Sequence, residues 1–154
     1  MNSLINSKAP EFNIMDASGN KISLSDFKGK WLVIFFYPKD DTPGCTKEVC
    51  NFRDDYSAIK LLGAQVIGIS LDKITSHQKF KEKHQLPFML LSDPQGKVAK
   101  KYEALFELMF IKFSKRHSFI IDPQGLIRKE YRSVNPYTHS IQIIDDLKAL
   151  QGKS

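Results

Sequence analysis

Cysteine is scarce in this chain, with two among 154 residues, at positions 45 and 50. In a reducing compartment such a pair argues against a structural staple. Two thiols also cannot close a tetrahedral zinc site alone. The four histidines, His77, His84, His117 and His139, are scattered, and none stands at short metal-ligand spacing from either cysteine. A metal is therefore not expected, which leaves redox chemistry or inert burial for the thiols. Long apolar runs are missing, so nothing reaches the length needed to cross a bilayer. Met1 to Lys8 lacks the apolar core of a secretory signal. Internal repeats and low-complexity linkers are absent too. The expectation is one domain over residues 1–154. It should be cytoplasmic and monomeric, with no membrane partner. An arginine-rich arm and a basic stripe interleaved with aromatics are also lacking. The net charge of +6 thus reads as a solvated basic surface, not as a nucleic-acid footprint.

What is present is an alternation of strand and helix signals. Asp16 to Asn20 reads as a turn between two short edge strands. Trp31 to Tyr37 (WLVIFFY) is a continuous apolar run, as in a strand buried on both faces. Thr42 to about Leu62 reads as a helix, Gln65 to Leu71 as a second buried strand, and Thr75 to His84 as a helix ended by Leu86-Pro87. Phe88 to Leu91 predicts a third strand and Gly96 to Tyr102 a short helix. His117 to Ile121 and Leu126 to Tyr131 predict a hairpin around Asp122-Pro123-Gln124-Gly125. Ser140 to Leu150 closes as an amphipathic helix with Ile141, Ile144, Leu147 and Leu150 on one face. This order predicts an α/β fold, a mixed central sheet flanked by helices.

The informative segment is Tyr37 to Asp54, YPKDDTPGCTKEVCNFRD, which begins where the first buried strand ends. In open α/β sheets, sites form at the carboxyl ends of strands. Thr42 fits an N-cap and Pro43 the first helical position. Cys45 then falls in the first turn, facing unpaired N–H groups and the positive end of the helix dipole, a setting that favours a thiolate. Cys50 follows five residues later. On an intact helix the two Cα atoms stand about 8.7 Å apart, beyond the ~7 Å reach of a disulfide. Either Cys50 is inert or the helix must unwind for the sulfurs to meet, and the spacing alone leaves both readings open.

Pro38, Thr42 and Cys45 match the pattern P-x-x-x-T-x-x-C of the peroxiredoxins. With Thr46, Glu48, Cys50, Phe52, Arg53 and Asp54, the string resembles the bacterioferritin comigratory protein, or peroxiredoxin Q, subfamily. The resemblance extends from Ala9-Pro10-Glu11-Phe12 through Leu24 to Lys30 and Ser92 to Val98, and on to Arg116 to Asp122. It implies a thioredoxin-like fold, with Cys45 as peroxidatic and Cys50 as resolving cysteine, joined during turnover by an intramolecular disulfide. It also implies that Thr42 hydrogen-bonds thiolate and peroxide, that Pro38 shields the thiolate, that Arg116 stabilises charge, and that Glu48 orients Arg116. Arg53 receives no catalytic role. The implied activity is reduction of hydrogen peroxide and organic hydroperoxides without a cofactor, recycled by thioredoxin or a similar dithiol. The sequence departs from the subfamily between Tyr102 and Arg116, where Leu105 to Phe113 (LFELMFIKF) is unusually apolar. Extra core or ordinary loop packing is the favoured reading there, with an apolar collar near the active site or a self-association surface as the alternative.

Two rivals stand beside this reading. A thiol-disulfide oxidoreductase would share the fold but would use C-x-x-C, and slow peroxide consumption would favour it. A non-enzymatic binding module would show salt-sensitive association without peroxidase turnover.

Overall fold

The computed structural model describes residues 3–153. Seven strands form a mixed sheet in the order β2-β1-β5-β4-β3-β8-β9. At its centre, β3 (Trp31–Phe36) runs parallel to β4 (Ala64–Ser70), and β4 parallel to β5 (Met89–Ser92). The crossovers are α1 (Pro43–Leu61) and α2 (Ile74–His84). On one side β1 (Asn13–Asp16) joins β5 antiparallel and β2 (Lys21–Ser23) joins β1, so of the two expected edge strands β1 is interior and β2 forms that edge. On the other side β8 (Ser118–Ile121) pairs antiparallel with β3, and β9 (Ile127–Tyr131) with β8. The turn between β8 and β9 is pinned by Asp122, whose carboxylate accepts the N–H groups of Gln124 and Leu126.

The apolar run of β3 explains the layering. Successive side chains of a strand point to opposite faces. Val33, Phe35 and Tyr37 enter one core with Val49, Phe52 and Ile59 of α1, Phe80 of α2, and Ile143 and Leu147 of α4 (His139–Leu150). Leu32, Ile34 and Phe36 enter a second core with Phe27, Phe119, Tyr102, and Val98 and Ala99 of α3 (Lys97–Lys101). Gly68 of β4 fits this packing closely, because a Cβ there would come within 2.6 Å of the Phe35 ring. Phe35 in turn stacks on Phe52 with ring centroids 4.7 Å apart.

Two expectations are corrected. The buried face of α4 is set by Ile143 and Leu147, with Ile144 and Leu150 half-buried, whereas Ile141 is 59% exposed. The helix begins at His139, and packing against α1 and Tyr131 of β9 keeps three of the four expected residues but takes Ile143 in place of Ile141. The apolar segment after Tyr102 is not extra core. It forms a separate hairpin, β6 (Leu105–Leu108) and β7 (Ile111–Ser114), which pairs only with itself. Phe106 and Phe113 stack across its stem, while Leu108, Met109, Phe110 and Ile111 at the tip are exposed, Phe110 at 98%. Only the base of the hairpin meets the second core, through Leu105.

Candidate active site

The site is built where β3 ends. Tyr37 is the last buried residue of the run, and Pro38 to Asp41 form a loop leading into α1. Thr42 is the N-cap by backbone conformation, and its carbonyl accepts the first helical bond from Thr46 N–H at 2.8 Å. Its hydroxyl, expected to serve thiolate and peroxide, donates to the Lys39 carbonyl at 2.9 Å. That leaves the two lone pairs of Oγ1 as acceptors. Pro43 takes the first helical position, where a missing N–H costs nothing.

Cys45 is fully buried in the first turn of α1. The Arg116 guanidinium, from the loop between β7 and β8, lies near enough to Cys45 to feel its charge and donates from Nη1 to Glu48 Oε1 at 2.8 Å. Gly44 makes this approach possible, since a Cβ there would stand 3.2 Å from Arg116 Nη2. The loop carrying Arg116 is itself fixed, with Lys115 N–H on the Ala104 carbonyl and the His117 carbonyl accepting Phe36 N–H. Burial alone would lower the pKa of Arg116, but the nearby Cys45 sulfur and the Glu48 carboxylate outweigh it, and the net shift is upward. Glu48 is buried, and desolvation pushes it up to about 7 against the pull of Arg116. Its second oxygen, Oε2, has no hydrogen-bond partner among the described residues.

Pro38 lines a cavity of about 440 Å³ with Lys39, Leu71, Asp72, Lys112 and Phe113. Cys50 lies on the same helix as Cys45, half-buried, and both thiols are free. The structure thus brings Cys45, Glu48 and Arg116 together, sets Thr42 and Pro38 on the adjoining loop, and keeps Cys50 one and a half turns further along α1.

The profile of the AhpC/TSA family matches residues 5–130. Peroxiredoxin Bcp of Bacillus subtilis is 41% identical over 156 residues, covering 97% of this chain and 98% of that protein. The chain belongs to the AhpC/TSA family. Within it, this peroxiredoxin falls in the Bcp/peroxiredoxin Q group, and it is a thiol-dependent peroxidase. Rice chloroplastic peroxiredoxin Q is 44% identical over 145 residues, 94% of this chain and 65% of that protein. Among solved structures, peroxidoxin BcpB from Mycobacterium tuberculosis superposes with a TM-score of 0.91 at 31% identity, covering 97% and 99% of the two chains. The bacterioferritin comigratory protein of Xanthomonas campestris, described for alkyl peroxide reduction, gives 0.85 at 30% identity over 90% and 91%.

The sequence did not reveal what anchors the peroxiredoxin loop before Cys45. Tyr37 Oη donates to Asp40 Oδ1 at 2.5 Å, Ser76 donates to Asp40 Oδ2, and His77 Nδ1 meets the same oxygen at 2.7 Å. Asp40 N–H donates to Asp72 Oδ2 at 2.8 Å. Asp40, Asp72 and His77 stand close enough together to suggest a metal site. However, both ring nitrogens of His77 already face acceptors, Nε2 the Leu91 carbonyl and Nδ1 Asp40, and the Asp40 oxygens also accept from Tyr37 and Ser76. The cluster is a hydrogen-bonded knot that ties the loop to α2 and β5. The buried run around Tyr37 was visible in the sequence, but a partner 40 residues away was not.

Proposed function

We propose that Cys45 is the peroxidatic nucleophile and Cys50 the resolving thiol of a thioredoxin-recycled peroxidase. The observation that carries this reading is the buried Cys45 sulfur facing the Arg116 guanidinium at a helix N-terminus. The Cys45 thiolate attacks one oxygen of ROOH and the O–O bond breaks, giving Cys45 sulfenic acid and an alkoxide that is protonated to ROH. Charge grows on the departing oxygen, and a fixed guanidinium is well placed to stabilise it. Glu48 holds that guanidinium, Thr42 offers hydroxyl lone pairs to the peroxide O–H, and Pro38 keeps water from the sulfur. Cys50 then displaces hydroxide from the sulfenic acid, and α1 must open because the intact helix holds the cysteines too far apart. A thioredoxin-like dithiol reduces the resulting disulfide. The substrates are hydrogen peroxide and organic hydroperoxides.

Stopped-flow oxidation tests the assignment. Cys45→Ser abolishes peroxide consumption. Cys50→Ser consumes about one equivalent and then stalls with thioredoxin. Turnover by the Cys45 variant, or no first reaction by the Cys50 variant, would sink it.

A further inference from the structure

His84 lies 34 residues from Cys50 in sequence, yet its Nδ1 stands 3.6 Å from the Cys50 sulfur. No other hydrogen-bonding group meets that sulfur among the described residues. The contact is fixed from several directions. His84 is the last residue of α2, and Gln85 ends that helix in a left-handed conformation. The imidazole packs edge-on against Phe80, with ring centroids 5.2 Å apart. The His84 carbonyl accepts Arg53 Nη1 at 2.9 Å, which ties the end of α2 to the turn of α1 that carries Cys50. Arg53 is held protonated mainly by its bond to Asp54, with Cys50 adding to the same direction. Unlike His77, whose nitrogens are both engaged, His84 has no partner at Nε2 among the described residues. Nothing on that side commits the ring to one tautomer. A thiol and an imidazole within hydrogen-bond reach form the usual pairing of nucleophile and base. The end of a helix, rich in free carbonyls, favours the cation that results.

We propose that His84 is the proton acceptor for Cys50 in disulfide formation. This rests on reading Cys50 as the resolving thiol. His84 Nδ1 takes the Cys50 S–H proton while α1 is still folded. As the helix opens, Cys50 leaves as a thiolate and His84, on α2, stays behind with the proton. The Cys50 lone pair forms the bond to the Cys45 sulfur, and the S–O bond of the sulfenic acid breaks with its electron pair on oxygen. The departing hydroxide and the proton returned through solvent by the imidazolium make one water. Cys50 is oxidised and the Cys45 sulfenic sulfur reduced, so no outside reagent is needed. Of the charged groups around this place, Lys83 is paired with Asp41, and Arg53 with Asp54 and the His84 carbonyl.

The test is His84→Asn, with His84→Gln beside it, in transient kinetics that resolve oxidation of Cys45 from disulfide formation. The first phase reports that the site is folded. The second phase should slow by at least about tenfold, the lower end for loss of a general base. A second measurement does not depend on resolution. In a Cys45→Ser background, alkylation of Cys50 by iodoacetamide at neutral pH should slow several-fold when His84 is replaced. Unchanged second phase and unchanged alkylation in a folded variant overturn the proposal and leave Cys50 as the resolving thiol. Failure of the unsubstituted protein to form the Cys45–Cys50 disulfide overturns the parent reading instead.

Discussion

Oxidation should make this protein easier to melt, although it adds a covalent bond. The disulfide requires the start of α1 to open, which strips Val49 and Phe52 from the core they share with Phe35 and Ile143. Both side chains are fully buried in the reduced protein. Exposing them costs about 3–6 kcal/mol together, taking roughly 1.5–3 for each. The crosslink closes a very short loop in the unfolded chain, and such a loop returns only about 2 kcal/mol. A net loss of about 1–4 kcal/mol remains, a drop of roughly 2–16 °C in Tm for a chain of this length. Calorimetry of the protein in excess dithiol and after one equivalent of peroxide measures it. Cys50→Ser, which cannot close the bond, is the control and should not show the drop. An oxidised form that melts at or above the reduced one refutes the reasoning, because it would mean that the disulfide forms without loss of the α1 packing.

Arg116→Ala should slow the first oxidation by about 10²–10³-fold in stopped flow, and Arg116→Lys should recover little because a single ammonium cannot span Cys45 and Glu48. Gly44→Ala should also slow that step while leaving Tm nearly unchanged, since its Cβ would meet Arg116 Nη2 at 3.2 Å and displace the guanidinium. The pH dependence of stability should show two opposed contributions. Burial raises Glu48 from 4.5 to about 7, so the folded state holds the extra proton between those values and this term loses stability as pH rises. Burial, with Arg132 and Lys115, lowers His117 from 6.5 to about 4, so its term loses stability as pH falls through that window. Between about pH 4.5 and 6.5 the two nearly cancel, and Glu48→Gln should unmask a rise with pH that urea titrations at pH 5 and 6.5 detect. Identical slopes for the two proteins would refute the assignment to Glu48.

Much of the site was legible because its determinants are local. The T-P-G-C run places a thiol in the first turn of a helix, and WLVIFF can only be a strand covered on both sides. The rest depends on which surfaces meet. The last helix offers Ile141, Ile143, Ile144, Leu147 and Leu150, enough for two competing stripes, and only contact with its neighbours decides between them. Leu105 to Phe113 has core composition, but its strands pair only with each other, so composition gave the wrong burial. His84 carried no signal at all, because a histidine at a helix end acquires meaning only when α1 is laid beside it.

The knot formed by Tyr37, Asp40 and His77 bears on how quickly the enzyme can reset. It lies just before α1 and involves none of the residues from Cys45 to Arg53. When that stretch opens, its front remains tied to α2 and β5, and its rear runs into the part of α1 that still packs through Ile59. The opened segment is therefore a short span between two ordered posts. Starting a helix from nothing is improbable, with a nucleation factor of about 10⁻³, but extending an existing one adds a bond for each residue fixed. Closure after reduction is extension into a prepared socket, on a timescale of roughly nanoseconds per residue. The chemical exchange with the dithiol, and not the return of the helix, then sets how soon Cys45 can meet its next peroxide.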